Sequence, residues 1–266
     1  YGICGNATIP VGATVNVEPG VTVHFEPGFS LTVAGALHGV GTTASPIAFT
    51  ATTNFPPILF VDGTLDLTYV QVGGQIRPDG GATLLLDHCT LAGPGAMFKD
   101  ISPAIGYVPP YIQVTNCAFN GSALDVSQCT LVVRNTSFSG TYFRSIDSYV
   151  LFNGMTMANS PGDCLMLFHD AQPVWLDNLS ITGAAGAGLA LSGDNRGNNY
   201  LIGPNTVLQN NLYPVSVGNA GLLPGSVIPA TGNVHNYIPW TAGAQVDSRG
   251  PVIWAPVAVP YAIESD

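Results

Sequence analysis

The chain has 266 residues, of which 46% are hydrophobic but only 8% charged. An ordinary soluble domain carries about 25% charged residues, so this surface must be built mainly from neutral polar and small side chains. Six Lys and Arg against sixteen Asp and Glu give a formal charge of −10, which excludes a basic groove for nucleic acid, and the aliphatic content excludes disorder.

The opening residues YGICGNATIP lack a basic segment and an apolar core, so no signal peptide is present. Either a leader has been removed or the chain belongs to something longer. Residues 16–51 then alternate apolar and polar side chains between Pro-Gly turns, the pattern of short strands with one buried face. Six ten-residue segments follow that align without gaps: LDLTYVQVGG (65–74), LLLDHCTLAG (84–93), IQVTNCAFNG (112–121), LVVRNTSFSG (131–140), VLFNGMTMAN (150–159) and VWLDNLSITG (174–183). A weaker seventh copy lies near 200–210.

The columns of this alignment have a physical reading. Positions 1 and 3 are apolar in every copy, and positions 6 and 8 mostly so. The period-two phase therefore slips between positions 3 and 6, which requires a bend. Position 5 is Asn116, Asn135 or Asn178 in three copies and Gly154 in a fourth, residue types that tolerate a left-handed backbone. A further short strand separates the segments at ALDV (123–126), CLML (164–167), GLAL (188–191) and PVSV (214–217). About three short strands per repeat, with no helix between them, predict an all-β chain folded as a right-handed parallel β-helix over 7–211. A β-sandwich would not explain recurring columns with the same bend.

The stretch Glu18-Pro19-Gly20 with Val21-Thr22-Val23, then Leu31 to Leu37, Gly41-Thr42 and Pro46 to Thr50, resembles the opening coils of pectin-lyase-like right-handed β-helix proteins of bacterial surfaces and secreted fibres. With the later coils the resemblance covers about 7–211. It implies the solenoid fold and an extracellular or cell-surface location. It does not choose among enzymes, adhesins and structural shafts, all of which that fold hosts.

Residues 212–266 read as an irregular Pro-rich connector or cap, because proline cannot donate to a strand ladder. Trp240 and Trp254 are expected to bury there. The two ends resemble each other: Tyr1-Gly2-Ile3-Cys4-Gly5-Asn6 aligns with Tyr261-Ala262-Ile263-Glu264-Ser265-Asp266 at an offset of 260. Residues 1–6 and the end of the chain thus read as junction segments, where one coil stack ends and another begins. No span of the chain suits a membrane: the most apolar stretch, 251–263, holds three prolines in thirteen residues.

Catalytic chemistry finds little support. A glycosidase needs two convergent carboxyls, whereas the acids here are mostly single, and Asp163 with His169 and Asp170 is the best local grouping. Lyase chemistry wants calcium-binding acids beside a basic side chain, and the central coils carry only Arg134 and Arg144. The polar loop 192–199 and DGTLD (62–66) have too few carboxylates for a calcium site, although the acidic excess permits surface Ca2+. Five cysteines form no C-x-x-C pair, and Cys89 and Cys117 share one inward column as stacked thiols. No catalytic, cofactor or metal residues are assigned.

The interactive features are apolar. Position 2 of the segments points outward yet includes Leu85, Val132, Leu151 and Trp175, a stripe that something must cover. Together with Tyr1, Ile3, Tyr261 and Ile263 at the ends, these are the candidate interface residues. The leading expectation is a structural β-helix that self-associates end to end in an extracellular fibre, stalk or adhesin. The alternative is a carbohydrate-binding or carbohydrate-active protein in contact with polysaccharide.

Overall fold

A computed structural model describes residues 1–51, 58–96, 108–168, 173–193, 199–218, 220–228, 232–241 and 257–264. The chain is all-β, and its parallel sheets stack as a β-solenoid of about nine turns. These turns are distributed over two compact units, 1–132 and 133–266.

In the N-terminal unit the described strands fall into three parallel ladders. One runs from Gly2–Ile3 through Thr22–Phe25, Ile47–Ala51, Val70–Val72 and Thr90–Ala96 to Ala118–Ser127. A second holds Ala7–Ile9, Ser30–Val33, Ile58–Val61 and Gln75–Pro78, and a third Thr14–Val17, Ala36–Val40, Thr64–Thr68, Thr83–Asp87 and Tyr111–Thr115. The pairing register is the sequence alignment itself: Leu84 lies opposite Leu65 and Ile112, and Thr90 opposite Gln71 and Ala118. Leu65, Leu67, Leu84, Leu86, Ile112 and Val114 are therefore stacked inward and buried. Each contributes roughly 1.5–3 kcal/mol of hydrophobic stabilisation.

The expected bend is present in all six segments. Tyr69, His88, Asn116, Asn135, Gly154 and Asn178 have φ between 48° and 70°. Tyr69 and His88 are bulkier than this backbone favours, but their rings stack on one another at 4.6 Å. The bend lets strands on either side bury alternate residues about different axes. Gly63 marks a tighter turn, where its N–H donates to Val33 O at 2.9 Å and an added Cβ would run into the carbonyls of Ala34 and Gly35.

In the C-terminal unit one ladder holds Ser137–Ser139, Met155–Ala158, Leu179–Thr182 and Val207–Gln209. Here too position 7 of one segment meets position 7 of the next, Ser137 opposite Thr156 and Thr156 opposite Ser180. Another ladder runs Phe143–Ile146, Leu165–Phe168, Ala187–Ser192, Tyr213–Val217, Ile238–Thr241 and Tyr261–Glu264.

Within 212–266, expected as a Pro-rich connector or cap, the described residues include the strands Tyr213–Val217, Gly221–Leu222, Ile238–Thr241 and Tyr261–Glu264. The prolines in these strands fit because of alternation. Tyr213 N–H is directed at Gly186 O in the preceding coil, so the nitrogen of Pro214 faces the other side. There the strand meets Ile238–Thr241 only at Val217 opposite Trp240. Ile238 N–H donates to Pro260 O at 2.9 Å, which turns the Pro239 nitrogen back toward the same sparse seam. Neither proline removes a needed donor. Trp254 and the side chain of Trp240 lie outside the described residues.

The same region holds a buried amide ladder. Asn211 is fully buried; its Oδ1 accepts from Ala184 N–H at 2.9 Å and its Nδ2 donates to Ile181 O at 3.3 Å. Asn233 repeats the arrangement one coil later, accepting from Asn211 N–H at 3.0 Å and donating to Leu208 O at 2.9 Å. Asn211→Ala leaves a buried donor and acceptor unmet, so denaturant titration should show a loss of about 1–3 kcal/mol. Gly63→Val should be worse, with most of the chain insoluble on expression, because no flexible neighbour can yield to the new side chain.

Candidate interaction surfaces

The first coil consists of Gly2–Ile3, Ala7–Ile9 and Thr14–Val17, each with a strand partner on one side only among the described residues. In front of the interior they enclose lies a cavity of about 400 Å3, lined by Tyr1, Ile3, Ile9, Val15, Val23, Leu31, Leu37 and Phe49 among others. Tyr1 is 89% exposed and Val15 41%. No charged side chain precedes Glu18. Strand edges left this way are templates for further pairing unless charge or bulges blunt them.

At the other end, Tyr261–Glu264 pairs with Ile238–Thr241 in register, Tyr261 opposite Ile238 and Ile263 opposite Trp240. Tyr261 is half-buried, and burial pushes its phenol above the usual range. The side chain of Ile263 lies outside the described residues. Beside this ladder Tyr213, His235 and Tyr237 form an aromatic cluster with ring centroids 5.1–5.5 Å apart.

Of the lateral stripe, the structure keeps only part exposed. Leu85 is half-buried opposite Asp66 and Gln113. Val132 is 5% exposed, so it is covered within the chain and drops out of the stripe. Leu151 and Trp175, at 46% and 63% exposed, line a groove of about 420 Å3 with Tyr149, Asn153, Asp177 and Asn178. Asn178 Nδ2 donates to Asn153 Oδ1 at 3.0 Å. Asp177 accepts from Asn205 backbone N–H at 2.9 Å and from its side-chain amide at 3.1 Å. Desolvation works to raise the Asp177 carboxyl, but these bonds and one from Asn178 N–H outweigh it and hold the carboxyl below its ordinary value.

The groups weighed for catalysis are spent on structure or lie elsewhere. Asp163 Oδ1 accepts from Ala187 N–H at 2.7 Å and its carbonyl accepts from Ser160 Oγ at 2.9 Å, which ties one coil to the next. His169 and Asp170 lie outside the described residues, as does most of the 192–199 loop. Asp62 is pushed up by burial and by neighbouring Asp79, but among the described residues no three His, Cys, Asp or Glu side chains gather as a metal site. Histidines pair locally: His38 Nδ1 is 3.5 Å from Asp66 Oδ2, and His88 Nδ1 is 3.0 Å from Asp87 Oδ1. Cys89 and Cys117 are buried cysteines in contact through Cys89 N–H and Cys117 Sγ at 3.4 Å. The thiol–thiol hydrogen bond, then burial, pushes Cys117 far above the usual thiol range. Burial, then the Asp163 charge, lifts Cys164 to about 12.

Sequence reasoning named Tyr1 and Ile3 but missed the apolar cup behind them, whose signal is the absence of charge from 1 to 17. It also missed Tyr149, which flanks Trp175 only because the strands Tyr149–Asn153 and Val174–Leu176 come side by side.

No protein-family model, curated protein or solved structure matches the chain.

A carboxyl held low in the folded state stabilises above the unfolded value and loses that effect as pH falls through the folded one. Asp177→Ala should therefore lower the melting temperature at neutral pH. The gap between variant and parent should close as the pH drops below the ordinary value of 3.8.

Proposed function

We propose that the chain is a structural β-helix of an extracellular fibre, stalk or adhesin, built by adding copies end to end. The observation that carries this is the open first coil, with one-sided strands around a largely apolar cup of about 400 Å3 whose lining also includes Asn16 and Glu18. A head-to-tail contact of this kind is heterologous, and where it does not close into a ring it propagates. The coil pattern supports placing the chain among pectin-lyase-like β-helices. The reading invokes no catalysis, metal or cofactor, and gives the acids and cysteines structural duties.

One observation favours a second activity on the same scaffold. The exposed Trp175 ring beside Tyr149, with Asn153, Asn178 and Asp177 around them, offers an aromatic face with amide and carboxylate partners. That combination suits stacking and hydrogen bonding to a sugar ring.

Electron microscopy of the purified protein should show filaments with one axial period per 260-residue repeat. Val15→Asp should leave the melting temperature nearly unchanged yet abolish the filaments, since it charges the rim of the cup. Uniform single particles from the parent protein overturn the fibre reading. Trp175→Ala should keep the filaments and remove retardation in polysaccharide-containing gels. Equal migration of parent and variant removes the sugar reading.

A further inference from the structure

Resting on that reading, we infer that Tyr261–Glu264 is the first strand of a following copy, so that adjacent copies share one strand at the junction. In that copy Tyr261–Glu264 takes the place of residues 1–4, so that Thr22–Phe25 lies against it with His24 opposite Ala262 and Phe25 opposite Ile263, in place of Gly2 and Ile3.

Three independent observations meet here. The first is sequence: residues 1–6 and 261–266 share Tyr1 with Tyr261 and Ile3 with Ile263 at an offset of 260. The second is complementary pairing. Gly2–Ile3 is paired to the strand that follows it, Gly2 opposite His24, 22 residues on. Tyr261–Glu264 is paired to the strand that precedes it, Ile238–Thr241, with 23 residues from Ile238 to Tyr261. The two strands stand at opposite ends of the described ladders, one paired to the coil that follows and the other to the coil that precedes, at the spacing of one coil.

The third is the direction of the backbone groups. His24 N–H donates to Tyr1 O at 2.8 Å and Glu26 N–H to Ile3 O at 3.0 Å, so residues 1 and 3 face the following strand. Ile238 N–H donates to Pro260 O, so residues 260 and 262 face the preceding strand. Alternation then turns the carbonyls of residues 261 and 263 away from Ile238–Thr241. A one-residue slip of the sequence match would have aimed these groups at the wrong side. The parity agrees.

Sharing the strand also accounts for the cup. Tyr1 lines it, so in the equivalent position Tyr261 would line the cup of the next copy, with the strand Ile238–Thr241 beyond it, replacing water at an apolar surface.

The register can be read by disulfide formation. Thr241 lies opposite Glu264, and residue 264 corresponds to Cys4, an exposed free thiol. A tandem polypeptide is made in which residues 1–260 run directly into a complete second copy, 1–266. Thr241→Cys in the first copy should bond to Cys4 of the second under mild oxidation, and Cys4→Ser in the second copy should prevent it. The tandem should also melt in one transition above that of the single chain.

A single chain carrying Thr241→Cys and Glu264→Cys should form the same bond, which checks the geometry of the pair separately. If that control forms while the tandem gives no bond and melts like the single chain, the shared strand is wrong. Should the tandem fold poorly, amide exchange at His24 and Glu26 of the second copy decides: protection equal to the interior strands supports the junction, and exchange as fast as in a loop refutes it. Filaments without the tandem bond would sink the shared strand and leave the fibre reading standing. The bond without filaments would do the reverse.

Discussion

A strand in a parallel ladder satisfies its backbone only when it has a neighbour on each side, and among the described residues those neighbours come from the coils before and after. Interior coils meet the condition with in-register partners, as with Leu65, Leu84 and Ile112. The core follows from it, because in-register coils bring identical columns into contact and build continuous apolar stacks. The low charge content follows as well. A charged side chain repeated at one column would lie close to its like on the coils above and below, where like charges in register destabilise. Asp62 and Asp79 are the local exception, and burial first, then the Asp79 charge, pushes the Asp62 carboxyl up.

The same condition explains what the polar interior is for. Where coils turn, backbone groups leave the ladders and need other partners. Asn211 and Asn233 provide them in the C-terminal unit, and the carboxylates of Asp163 and Asp177 do so at two outer turns. Side chains that in another fold would suggest chemistry are here holding N–H groups of the following coil. Cys89 and Cys117 have a structural place too, as buried thiols that donate weakly to the carbonyls of Leu67 and Thr115.

The fold was legible because its repeat is written in the side chains. Position 1 against position 1 is both the alignment and the hydrogen-bond register, and the left-handed bend was readable from Asn116, Asn135, Gly154 and Asn178. What escaped the sequence depends on direction rather than identity. Pro214 and Pro239 read as breakers because composition does not reveal which side of a strand a missing N–H would face. Once Tyr213 and Ile238 fix the parity, both prolines are harmless. Val132 reads as outward by the same column rule that holds for Leu151, but burial depends on what else the chain lays over that position. The Trp175 groove needed Tyr149 from another coil, a neighbour that only the stacking supplies.

A solenoid differs from a closed domain in that its stabilising rule has no natural stopping point. Each added coil buries the face of the one before it and exposes an equivalent face of its own, so the demand for a partner is passed along and never cancelled within the stack. Natural chains stop this transfer by charge, by a helix laid over the end, or by another copy. The first coil here has no charge before Glu18, and the surface it presents is an apolar cup bordered by Tyr1 and Ile3. The interaction that makes the interior stable is thus the same one that the proposed end-to-end assembly would use. Under that proposal the step from folding to assembly needs no additional chemistry, only one more coil in the register of residues 1–4 and 261–264.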